Sequence, residues 1–100
     1  MSFQQVFIYE FVTGGGLFHW QAGSLDSSLA TEGMAMLRSI AMDFLRLSDV
    51  RVVVMRDSRL QFDLPEDITV QPIEDATQES AQYTRLINRS DYVLVIAPEL

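Results

Sequence analysis

Glu10 interrupts a run that is otherwise apolar, Gln5-Val6-Phe7-Ile8-Tyr9-Glu10-Phe11-Val12. An unpaired buried carboxylate costs several kcal/mol or holds its proton. Such a residue is therefore satisfied by loop amides or an arginine, or it serves as a ligand contact or a clamp on the loop beyond it. That loop is Thr13-Gly14-Gly15-Gly16. Three glycines after a strand suit a hinge or tight turn, or a close approach of backbone to a ligand or phosphate. A dinucleotide fingerprint would need Gly-x-Gly-x-x-Gly opening a helix directly. Gly14 and Gly16 fit, but His19 stands at the third position. Glu32-Gly33 falls in the first turn of a helical pattern. The helix dipole favours an acid there, while a helical glycine costs about 1 kcal/mol against alanine, so a close contact must require it. The last candidate follows the run Tyr92-Val93-Leu94-Val95-Ile96, as Ala97-Pro98-Glu99. In open α/β sheets ligands bind just past the carboxyl ends of strands. An enzyme rarely ends at the lip of its own site, so the chain is expected to be the first piece of a longer protein.

Other residues carry weaker chemistry. Asp57 follows a strand pattern where a dinucleotide fold places its ribose carboxylate, but the fingerprint is missing. His19 has no second ligand beside it and reads as ordinary surface, and Trp20 could cover a crevice mouth. Met34, Met36 and Met42 read as helix packing. No catalytic residue and no metal set is assigned.

The elements that must position these groups are legible in the periodicity. Residues 5–12 are β-branched and aromatic, which suits a strand covered on both faces. A helix is expected over about 28–47, its inner face carrying Leu29, Gly33, Met34, Leu37, Ile40, Ala41, Phe44 and Leu45. Asp26, Ser27 or Ser28 would cap it. Strands follow at 50–55 and 68–71, with Pro72 marking the latter as an edge or an end. A second helix spans 76–89, with Ala76, Ser80, Tyr83, Thr84 and Ile87 expected inward, and a last strand spans 92–96. The linker 56–67 shows no helix, which leaves the third strand's direction open. Helical crossovers imply parallel, right-handed connections. The expected fold is α/β: a three-layer, Rossmann-like or flavodoxin-like domain with a mainly parallel four-stranded sheet and helices on both faces. The first and last strands should lie side by side in its centre, with the switch point between them. Glu10 to Gly16 would then meet Ala97 to Glu99 at one crevice.

Composition narrows the classes. Fourteen acidic residues stand against seven basic ones, for a net charge of −7. A nucleic-acid partner would need a basic stripe, and none exists. All seven basic residues are arginine, and cysteine is absent. No stretch is apolar enough to span a bilayer or act as a signal peptide, so no membrane partner and a cytoplasmic location are expected.

Taken together, Tyr9-Glu10-Phe11 with Thr13-Gly14-Gly15-Gly16, Glu32-Gly33-Met34-Ala35-Met36-Leu37 and Ile96-Ala97-Pro98-Glu99 resemble the N-terminal domain that precedes the ATP-grasp fold. The resemblance is to ATP-grasp proteins similar to tyramine–glutamate ligase, and it spans the whole chain. It implies carboxylate–amine ligation, in which ATP phosphorylates a carboxylate and an amine displaces phosphate. ATP and Mg²⁺ are then expected for the full-length protein but in downstream domains of the same chain, because lysines usually hold the phosphates and this chain has none. The resemblance places Glu10, Thr13, Gly14, Gly15, Gly16, Glu32 and Glu99 nearest the small-molecule carboxylate and amine substrates. An uncovered crevice face would carry excess apolar area, with Phe18 and Trp20 as candidates, and would permit self-association. The alternative is a self-contained flavodoxin-like module that binds a small ligand or another protein.

Overall fold

The computed structural model describes residues 3–20 and 27–97. Its elements run β1 (Gln4–Glu10), a 3₁₀ turn (Gly16–His19), α1 (Ser27–Leu45), β2 (Val50–Asp57), β3 (Thr69–Ile73), α2 (Ala76–Arg89) and β4 (Tyr92–Ile96). The four strands form one sheet in the order β3-β2-β1-β4. Every pairing is parallel, β3 included, which settles the direction that its helix-free linker left open.

Alternation along β1 builds the two cores. Val6 and Ile8 face α1 and pack with Leu37, Ala41, Val52, Val54, Ile68 and Ile96. Phe7 and Tyr9 face α2 and pack with Val53, Met55, Ile73 and Leu86. Each helix covers one face, so the chain is a three-layer α/β domain. The α1 face falls as its periodicity predicts, since Ala30, Leu37 and Ala41 are buried. Ser28 lies inside α1 rather than at its cap, and Asp26 lies outside the described residues. Asp75 caps α2 by accepting from the Gln78 amide at 2.7 Å. Pro72 sits within β3, an edge strand, as expected of a residue that cannot donate to a ladder.

Three expectations need correction. β4 lies beside β1, in register Glu10↔Ile96, but it is an edge strand rather than a central one. Its Tyr92, Val93, Leu94 and Val95 are 58, 39, 36 and 52% exposed. Apolar composition reports that a strand suits cover on both faces, not that the cover is present. The inward residues of α2 are Glu79 and Leu86, with Tyr83 beside them, whereas Ser80, Thr84 and Ile87 face outward. The pattern was displaced because a carboxylate, Glu79, occupies the inner face. Met36 and Met42 are exposed rather than packed.

Candidate functional site

Glu10 ends β1 on the α1 side of the sheet and is 2% exposed. Its carboxylate turns back on the loop it precedes. Oε1 accepts from the Thr13 amide at 2.8 Å and Oε2 from the Val12 amide at 3.1 Å. Charge-assisted bonds of this kind offset the desolvation that burial imposes. Room for the carboxylate comes from α1: a Cβ on Gly33 would collide with Glu10 Oε1 and Cδ. Gly33 therefore breaks helix propensity for a specific contact between helix and strand end.

The loop then crosses the carboxyl end of the sheet towards α2. The Thr13 carbonyl accepts from the Asp57 amide at 2.6 Å, tying it to the end of β2. The Gly14 amide donates to the Glu10 carbonyl and the Gly16 amide to the Phe11 carbonyl, both at 2.8 Å. Gly15 has φ 97°, a backbone that L side chains rarely adopt. Missing Cβ atoms are filled by the protein itself: Tyr9 lies against Gly14, Ile73 and Glu79 against Gly15, and Phe11 against Gly16. The loop is a packed turn whose amides are largely committed to its own chain. Thr13 Oγ1 is buried without a hydrogen-bond partner among the described residues.

Two side-chain assemblies brace this turn. On the α2 side, the buried Glu79 carboxylate accepts from the Tyr9 hydroxyl at 3.2 Å and contacts His19 Nε2 at 2.5 Å. Ser80 Oγ reaches the same His19 nitrogen at 3.4 Å. Serine and acid share one ring nitrogen, so this is no nucleophilic triad, which needs the acid on the other. His19, expected at the open surface, instead latches the turn to α2. At the end of β2, Asp57 is fully buried, and its Oδ2 pairs with Arg59 Nη2 at 2.7 Å. Arg59 also lies over the Phe18 ring, 4.1 Å from its centroid. Asp57 is thus engaged within the fold rather than presented to a ribose, and Phe18 lies beneath a cation. Exposed apolar surface concentrates on β4 instead, although Trp20 is also exposed. Hydrophobic periodicity could not flag Glu79 or Arg59; an Asp-x-Arg at the end of a strand was the one available signal for the latter pair.

Burial, with the Glu79 charge beside it, pushes the Tyr9 phenol well above its usual range. The fold therefore favours the protonated phenol. An unfolded tyrosine ionises near about pH 10, so this contribution is complete below that pH and is lost as pH rises through the higher folded value. Stability is expected to fall with pH above about 10, and Tyr9→Phe should flatten that slope while costing about 1 kcal/mol at neutral pH. Urea unfolding at a series of alkaline pH values measures both, and an unaltered slope in the variant would assign the loss to other groups.

A cleft of about 410 Å³ opens on the α1 side, lined by Glu10, Leu29, Glu32, Gly33, Met36, Ile96 and Ala97. It brings together the carboxyl ends of β1 and β4 and the first turns of α1. Glu32 is exposed there and takes part in none of the ion pairs among the described residues. Among the described residues two acids and no base line the cleft, which favours a cationic group over an anionic one. Thr13, Gly14, Gly15 and Gly16 are not among its lining residues, and Glu99 lies outside the described residues. The glycine loop does not fit a nucleotide phosphate. The Gly14 and Gly16 amides are committed, the space above each glycine is filled by side chains, and the chain has no lysine. No helix among the described residues is long and apolar enough to cross a membrane.

No curated protein and no solved structure matches the chain. The family model described as the pre ATP-grasp 3 domain matches residues 50–100. The match begins at β2 and takes in Asp57, Glu79 and the whole of β4, while Glu10, the glycines and Glu32 precede it. With half of its length covered in this way, the chain belongs to the pre ATP-grasp 3 domain family.

Proposed function

We propose that this chain is the N-terminal domain of an ATP-grasp carboxylate–amine ligase, where it walls the substrate side of the active-site cleft and is not catalytic alone. The observation that carries the reading is the cleft at the ends of β1 and β4, which joins Glu10 and Glu32 at the place where open α/β sheets bind ligands. Family membership supports an ATP-grasp partner in the same chain. The bare faces and open edge of β4 support a position for it beside that cleft. A parallel sheet normally has both faces covered, and the same strip is where isolated copies would pair edge to edge.

In this reading the reaction is of the kind carried out by ligases similar to tyramine–glutamate ligase. A carboxylate becomes an acyl-phosphate, and an amine attacks the acyl carbon and releases phosphate. ATP and Mg²⁺ would be held by downstream domains. Within this domain, Glu32 receives the amine substrate as its ammonium form, since its carboxylate is exposed in a cleft without a competing cation. Glu10 acts through the loop: it fixes Val12 and Thr13, and thereby the shape of the sheet end. Thr13 and Gly14 to Gly16 are positioning residues, and Glu99 would extend the β4 side of the wall. The alternative, a self-contained module that binds an anion at Gly14 to Gly16, has less support because the Gly14 and Gly16 amides bond within the turn and side chains fill the space above all three glycines.

Calorimetry with Mg-ATP tests the division of labour. Residues 1–100 should give no saturable heat at millimolar nucleotide, whereas the protein that includes the ATP-grasp domains should saturate. A micromolar dissociation constant for the 100-residue chain would place a nucleotide site within it and sink the proposal.

A further inference from the structure

A second cleft, also about 410 Å³, lies on the α2 side and is lined by Gln5, Val53, Thr69, Gln71, Arg85, Leu86 and Arg89. Strands and helix run antiparallel in a crossover unit, so the carboxyl end of α2 meets the amino ends of the strands, away from the glycine loop. Alternation sets the floor. Val53 and Leu86 belong to the α2-side core, while the edge strand β3 turns Thr69 and Gln71 to the same side, in register with Val53 and Met55.

Arg85 and Arg89 are one helical turn apart, and neither enters an ion pair among the described residues. Arg85 is held from both sides, its Nε on Gln82 Oε1 at 2.6 Å and its Nη2 on Gln71 Oε1 at 3.2 Å. Asp91, the nearby acid, instead accepts from the Gln5 backbone amide at 2.7 Å. No carboxylate among the described residues lines the cleft. This is unusual economy in a chain with twice as many acids as bases. Like charges at i, i+4 repel, and the terminus of α2 offsets only about half a charge. Two guanidinium charges therefore leave the cleft positive.

We propose that Arg85 and Arg89 form a binding site for a small, multiply charged oxyanion, either a phosphate or a dicarboxylate. Guanidinium forks match both groups bidentately, Thr69 adds a hydroxyl donor, and Arg85 is already oriented, while the Gln5 and Gln71 amides, which donate to Ser90 Oγ and the Pro72 carbonyl, each keep a second proton. The site is independent of the acidic cleft and lies at the other end of the sheet.

Amide NMR titrations at constant ionic strength test it, using inorganic phosphate, succinate and sodium chloride in parallel. Saturable shifts confined to Thr69, Gln71, Arg85, Leu86 and Arg89 are expected with phosphate or with succinate, and whichever saturates at lower concentration identifies the source. R85Q/R89Q should weaken that binding by about tenfold or more, while R46Q, altering an exposed arginine paired with Asp43, should leave it intact. If R85Q unfolds, R89Q is read alone, because Arg89 is exposed and makes none of the holding bonds. Shifts that stay linear with both anions, that chloride reproduces, or that persist in R85Q/R89Q or R89Q would overturn the proposal.

Discussion

Gly33→Ala is expected to cost about 3 kcal/mol, although it adds a single methyl to a helix. Helix propensity alone predicts the opposite sign, a gain of about 1 kcal/mol. The added Cβ would occupy the position of the Glu10 carboxylate, so one of the two must move. Displacing the carboxylate releases the Val12 and Thr13 amides, both in buried residues. Overpacking costs about 1–3 kcal/mol and an orphaned buried donor a similar amount, and together these outweigh the propensity gain. Urea unfolding of the variant measures the loss. Adding Glu10→Ala removes the clash, so the double variant should be less damaged than the two single losses summed, by about 1 kcal/mol or more. Strict additivity would mean that helix and strand end do not meet through this pair.

Removing the two halves of the Asp57–Arg59 pair should have unequal effects. Asp57 is fully buried, while the Arg59 side chain is 37% exposed. Arg59→Ala leaves a carboxylate that cannot reach water, with only the Arg59 backbone amide still donating to it. Its expected cost is about 3 kcal/mol, at the lower edge for broken buried pairs because one partner was already hydrated. Asp57→Ala leaves a guanidinium that can swing into solvent, at about 1–2 kcal/mol. Phe18 loses its covering cation in the first case and can keep it in the second. Thermal unfolding of both variants gives the order. Equal losses, or a larger loss for Asp57→Ala, would show that the ion pair is not what stabilises the end of β2.

The parts of the fold that were legible in the sequence are those fixed by periodicity. Leu37 and Ala41 face the core because their spacing allows one helical stripe, and β1 lies beside β4 because crossover handedness leaves few arrangements. Gly33 beside Glu10 was legible as a close contact, though not its partner. Other features depended on polar groups whose partners are distant in sequence. Glu79 sits inward because Tyr9 and His19, 70 and 60 residues away, satisfy it. A helical wheel scores that position as solvent-facing. The glycine loop looked open because glycine is compatible both with a ligand cradle and with a turn packed by its own side chains. Only Tyr9, Ile73 and Phe11 standing where Cβ atoms would be distinguish the two. The placement of β4 at an edge was hidden for a different reason: its composition reports the cover it suits.

Glu10 and Glu32 share one cleft, but only Glu32 separates function from folding. Glu10→Gln would disturb the loop clamp as well as any substrate, whereas Glu32 is exposed and outside every ion pair among the described residues. The direct test is therefore Glu32→Gln in the protein that carries the ATP-grasp domains, assayed for ATP-dependent amide formation with a panel of amines. Losing a charge-assisted contact to an ammonium group should lower kcat/KM for the amine by roughly 10–100-fold, with the unfolding midpoint unchanged. An unchanged kcat/KM would contradict the account and leave this cleft without a part in the reaction.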